Sequence, residues 1–112
     1  MRNERSKMIK IMNELVRFYM RSGNNHVSVD LDITDLEGII TLRGSCSRLN
    51  QETLNELNSV INSPRKDETE EYYWNLMGTS DFSEIRLLGS MVNDGTIVCE
   101  DDVLVIKVRR KF

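Results

Sequence analysis

The chain has 112 residues, with 15 Lys and Arg against 18 Asp and Glu, a formal net charge of −3 at pH 7. That balance gives no overall pull toward nucleic acid or an anionic membrane, and no apolar run approaches the roughly 20 residues of a membrane-spanning helix. The length is that of a single domain over residues 1–112, large enough to bury a core without staples.

Arg5 to Ser22 reads as a helix. Met8, Ile11, Met12, Leu15, Val16 and Tyr19 recur at helical spacing and make one broad apolar stripe. The basic start, MRNERSKMIK, leads into no uninterrupted apolar stretch, so no signal peptide is expected. Ser22-Gly23-Asn24-Asn25 supplies the turn chemistry that ends the helix.

Val27, Val29, Leu31 and Ile33 then alternate with Ser28, Asp30, Asp32 and Thr34. Period two predicts a strand with one wet face. A turn over Asp35 to Gly38 and a second strand from Ile39 to Arg43 complete an antiparallel hairpin. Asn50 is placed to cap a helix running to about Ile61, with Leu54, Leu57, Val60 and Ile61 on its buried side. Ser63 and the only proline, Pro64, stop it.

A further helix is expected from about Asp67 to Met77, with an acidic first turn that suits the helix dipole. Ile85, Leu88 and Val92 predict another, capped by Asp81 or Ser83 and ended by Asn93-Asp94-Gly95. Thr96 to Cys99 and Val103 to Val108 are strands joined by the polar turn Glu100-Asp101-Asp102. The second of these is a nearly continuous apolar run, as in strands that sit centrally or are covered on both faces.

The predicted order is α-β-β-α-α-α-β-β, an α+β fold of two layers, a two-layer α/β sandwich. The junction between its halves admits a mixed sheet. The predicted core includes Ile11, Leu15, Val29, Leu31, Ile40, Leu57, Ile61, Leu88, Val92 and Ile106.

This order resembles the ATP-binding domain of histidine kinases and their gyrase and mismatch-repair relatives, the GHKL superfamily. ELVRFYMRSGNNHVSVDLDITDLEGIITLRG resembles that family's first helix and strand pair, and EIRLLGSMVNDGTIVCEDDVLVIKVRRK its closing helix and hairpin. The family's metal-holding Asn would fall near Arg17 or Phe18, and neither can ligate a metal. Glu14 lies about where some members carry a water-activating Glu. The place of the adenine-binding D-x-G-x-G is taken by Arg43-Gly44-Ser45-Cys46-Ser47, without a carboxylate. Gly78-Thr79-Ser80-Asp81 is the only trace of the phosphate loop. The resemblance implies a degenerate, minimal histidine-kinase-type ATPase fold without its usual ligand.

No other constellation carries chemistry. His26, the only histidine, opens a strand, where a structural role is the common one. Asp30, Asp32 and Asp35 lie close together but lack the calcium-loop pattern with its closing Glu. Glu68 to Glu71 and Glu100 to Asp102 read as solvated surface, and Tyr72-Tyr73-Trp74 as core or lid residues. Lys107, Arg109, Arg110 and Lys111 make a small basic tail with only Phe112 beside it, a weak basis for nucleic-acid binding. Cys46 and Cys99 form no C-x-x-C pair, so free, unreactive thiols in a reducing cytoplasm are expected.

The expected function is a non-catalytic regulatory or protein-interaction module. The alternatives are a residual nucleotide-binding, histidine-kinase-like domain and a small nucleic-acid-binding protein. No catalytic, cofactor-binding or metal residue is assigned, and no cofactor is expected. A protein partner is expected, without identification. A homo-oligomer is admitted, and neither membrane nor nucleic acid is expected as a partner.

Overall fold

The computed structural model describes residues 3–46, 49–62, 88–89 and 91–112. Two helices, α1 (Glu4–Arg21) and α2 (Gln51–Ile61), pack on one face of a four-stranded sheet. Its strands are β1 (Ser28–Ile33), β2 (Glu37–Ser45), β3 (Asp94–Glu100) and β4 (Val103–Lys111), in the spatial order β1-β2-β4-β3. Every pairing is antiparallel. The α+β class stands, but among the described residues the sheet is not mixed, because β2 and β4 meet antiparallel where the two halves join. The predicted helix over 67–77 lies outside the described residues. So does the one over 83–92 apart from its end, where Leu88 and Gly89 form a 3-10 turn.

Each element forms where its residues favour it. The stripe Met8, Ile11, Leu15 and Tyr19 is fully buried against the sheet. Ser22 donates both its N–H and its hydroxyl to Phe18 O, and Gly23 turns the chain at φ 93°. That is the left-handed backbone that glycine takes without penalty. Asn50 Oδ1 accepts from Thr53 N at 2.8 Å, capping α2 as its sequence predicts. The β3–β4 hairpin turns on Asp101 and Asp102, both with positive φ, the two-residue turn that matches strand twist.

Side chains directly opposite each other across antiparallel strands share a face. Ile40 and Leu42 of β2 therefore stand with Val108 and Ile106 of β4 beneath the helices, all of them buried. Two glycines let α1 approach. A Cβ at Gly38 would lie 2.5 Å from Met8 Cε, and one at Gly44 would lie 2.6 Å from Tyr19 Cδ2. Tyr19 then reaches through the core, its hydroxyl lying 3.0 Å from Leu42 O and 2.8 Å from Leu104 O. Burial pushes this phenol well above its ordinary range, against a smaller opposing backbone hydrogen bond from Ile106.

Three sequence expectations change. Cys46 and Cys99 are not free thiols: they form a disulfide that joins the end of β2 to β3. The cysteines are 53 residues apart, but pairing both hairpins with β4 brings their ends together. Lys107 to Lys111 is not a tail but the end of a central strand. Its Arg110 is buried, donating to Glu4 Oε2 at 2.8 Å and to Met91 O at 2.8 Å, which ties the start of α1 to β4. Finally, Val29 and Leu31, placed in the predicted core, each remain 39% exposed. They point to the helix side, opposite Leu42 and Ile40, but β1 is an edge strand and nothing among the described residues closes over it.

Candidate functional site

The candidate site is that open edge. Thr34 N donates to Glu37 O across the β1–β2 turn at 2.9 Å. Antiparallel bonding alternates, so Asp32 and Asp30 bond β2, while the peptide groups of Val29, Leu31 and Ile33 point outward. β1 has β2 as its only strand neighbour in the described sheet.

α1 adds an apolar wall. Met8 lies against Gly38 and Tyr19 against Gly44, so helix and strand run in the same direction. With the Met8–Tyr19 row on the sheet, Ile9, Met12, Val16 and Met20 form the next row, turned to one flank. Phe112 N donates to Leu36 O, so the even residues of β2 bond toward β4. With even side chains facing α1, L-chirality places β1 beneath the flank carrying this second row. Ile9 is 47% and Met20 60% exposed. A half-open apolar seam thus runs between α1 and β1, bordered by unused peptide groups.

The other face of β1 is acidic. Asp30 and Asp32 project from the open side of the sheet, opposite Thr41 and Ile39. Asp30 lies 3.8 Å from Arg43, while Asp32 has no ion pair among the described residues. The cations of β4 on this face, Lys107, Arg109 and Lys111, alternate along the strand. Arg109 is engaged by Asp94 and lies 3.9 Å from Glu37. The hydrogen bond to Asp94 raises the affinity of Arg109 for its proton still further.

The residues singled out for their chemistry separate in the fold. Glu14 is buried and lies 3.7 Å from Arg17 in the next turn. Phe18 is half-buried, its ring edge-on to Tyr19 at 6.2 Å. Asn13 is exposed. His26 lines a shallow recess of about 430 Å³ at one end of the sheet, with Asn24, Arg43, Ser45 and Asp102. The polar groups there mostly satisfy each other. Asn24 Oδ1 accepts from Ser45 N at 2.6 Å and its Nδ2 donates to Ser45 O at 3.0 Å, standing in for a strand. Ser45 Oγ donates to the Asp102 carboxylate at 3.2 Å. A serine hydroxyl spent on a carboxylate is not activated by an imidazole.

Asp35 sits in the β1–β2 turn, off the face that Asp30 and Asp32 share. Among the described residues no three His, Cys, Asp or Glu groups gather to hold a metal. Glu68 to Glu71, Tyr72-Tyr73-Trp74 and Gly78 to Asp81 lie outside the described residues. Sequence reasoning misses the seam because alternation marks which side chains share a face but not whether a strand is central. Ile9 and Met20, which fall off the predicted helix stripe, are the available signal. No helix among the described residues is long and apolar enough to cross a membrane. Compared with known proteins, the chain matches no protein-family model and no curated protein.

Proposed function

We propose that this chain is a non-catalytic regulatory or interaction module that binds a protein partner through its β1 edge. The framework of this reading is a degenerate GHKL-type fold, and its support is the sequence resemblance alone. The observation that carries the reading is the conjunction at one edge: outward peptide groups of Val29, Leu31 and Ile33 beside the exposed Ile9 and Met20. Long, exposed, apolar edge strands promote unwanted pairing and are normally blunted or covered. An edge left open beside an apolar groove is the geometry of strand addition, in which main-chain bonds give affinity and side-chain pockets give choice.

The disulfide bears on where the module works. A cytoplasmic chain would carry Cys46 and Cys99 as thiols, and the disulfide form belongs to oxidising surroundings. Thiol counting on protein taken directly from cells decides between these placements.

A photo-crosslinking residue at position 31 tests the function, with position 58 on the exposed side of α2 as control. Specific capture at 31 and not at 58 is expected from native extract. No specific capture at either position, together with a rise in melting temperature on adding magnesium nucleotide, would replace this reading with the nucleotide-binding one.

A further inference from the structure

Resting on that reading, we infer that the partner of β1 is an extended segment in which apolar residues alternate with Lys or Arg. The pattern follows from register. A strand added antiparallel to β1 would place residues on the helix side opposite Val29, Leu31 and Ile33. There they would meet the apolar seam built by those side chains and by Ile9, Met12, Val16 and Met20. Residues opposite Asp30 and Asp32 would project from the open face beside two carboxylates. Opposite charges on directly opposed strand positions stabilise pairing and like charges oppose it. Five residues suffice to fill the strand: apolar, basic, apolar, basic, apolar.

The same carboxylates exclude a second copy. If two β1 strands paired about a two-fold axis with Leu31 opposite itself, Asp30 of each chain would face Asp32 of the other. Four carboxylates would then share one small patch of open face. The charges thus act as a filter. They block self-pairing on an edge whose other face is apolar, and they admit a strand of opposite sign. Arg43 neutralises part of this charge, since it approaches Asp30 at 3.8 Å, but it lies on the β2 side and leaves Asp32 to the incoming strand.

The test uses three peptides sharing the core pattern Val-x-Leu-x-Val, with x as Lys, Ser or Glu. Each is titrated into isotopically labelled full-length protein and followed by backbone amide shifts. The Lys peptide is expected to bind about tenfold more tightly than the Glu peptide. Its shifts should centre on Val29, Leu31 and Ile33, and added salt should weaken it. In the double variant Asp30→Lys, Asp32→Lys the preference should reverse, a readout that damage to folding would not produce. Three outcomes overturn the inference: equal binding of all three peptides, shifts centred away from β1, or concentration-dependent self-association of the unmodified chain through β1. If capture at position 31 succeeds and the Lys peptide does not bind, the partner chemistry assigned here is wrong while the interaction reading stands. Failure of both removes the reading itself.

Discussion

The two edges of the sheet are built from strands of similar length and treated in opposite ways. On β3 the outward peptide groups of Gly95 are met. Asn62, at the end of α2, accepts from Gly95 N at 3.2 Å and donates to Gly95 O at 3.1 Å. Two turns of α2, through Gln51, Leu54, Asn55 and Asn58, flank the strand across a cleft of about 380 Å³, and the Cys46–Cys99 bridge anchors its other end. On β1 no side chain plays the part of Asn62 among the described residues, and the helix side stays half-open. An edge strand is a hazard in water, and this chain answers it in part on β3 with Asn62, α2 and a disulfide. That contrast is the reason the proposed interaction is placed on β1 and not on β3.

The largest effect is expected on the closed side. Replacing both Cys46 and Cys99 by Ser removes a crosslink between residues 53 apart. On the chain-entropy account a loop of this size contributes roughly 4 kcal/mol. Urea unfolding of the double variant should show a loss in the range of about 2–5 kcal/mol. Amide exchange should quicken at Val98, whose N–H faces β4, more than at Asp30, whose N–H faces β2. Equal quickening at both edges would mean that the bridge stabilises the whole sheet evenly, and the contrast would lose its main support.

A second pair of variants measures the contrast within one rung of the sheet. Leu31 and Ile40 are directly opposed and point to the same side, yet Ile40 is fully buried and Leu31 is 39% exposed. Ile40→Ala should cost about 2–5 kcal/mol, the span for a large aliphatic residue lost from a core. Leu31→Ala should cost only about 1–1.5 kcal/mol, scaled by the surface it buries. Matching losses would show that the seam is already closed in solution.

These pairs also show what is legible in the sequence and what is not. Helical spacing locates α1 and α2, and Asn50 is readable as a cap because its chemistry is local. Alternation gives the correct face to Val29 and Leu31, but it does not say whether a second strand lies beyond. That depends on β2 pairing with β4 and not on any residue within β1. The bridge is invisible for the same reason, since Cys46 and Cys99 meet only once both hairpins share β4. Arg110 looks like one more cation at a basic chain end. Only the docking of α1 brings Glu4 to it, and that ion pair together with the bond to Met91 O explains a guanidinium in the core.

The centre of the sheet supplies a pH-dependent test that neither edge should share. The raised affinity of Tyr19 for its proton means that the folded state favours the neutral phenol. The stabilisation is therefore complete below the unfolded value of about 10 and is lost progressively as pH rises above it. Stability should fall by up to about 1.4 kcal/mol per pH unit in that window from this residue alone. Tyr19→Phe should cost about 1–2 kcal/mol at neutral pH, through the lost hydroxyl contacts with Leu42 O and Leu104 O. It should also flatten the alkaline slope relative to the unmodified chain. An unchanged slope would mean that the phenol reaches solvent.

The smallest expected effect falls on Asn62, and it tests the comparison most directly. Its side chain donates to Asn58 O at 2.9 Å as well as engaging both peptide groups of Gly95. All of these bonds are exposed, so water replaces much of what is lost, and Asn62→Ala should cost about 1 kcal/mol. Its structural consequence is larger than its energy. Without the amide, Gly95 N–H and C=O become an open edge like those of Val29 and Leu31. Amide exchange at Gly95 should accelerate while that at Leu31 stays as it was. The variant should still refuse a basic strand at β3, because Asp94 is engaged by Arg109 and the helix side there is filled by Leu54, Leu57 and Ile61. Binding of the Lys peptide at β3 in this variant would show that an unpaired edge alone attracts such strands. In that case the seam and carboxylates of β1 would no longer account for its choice of partner.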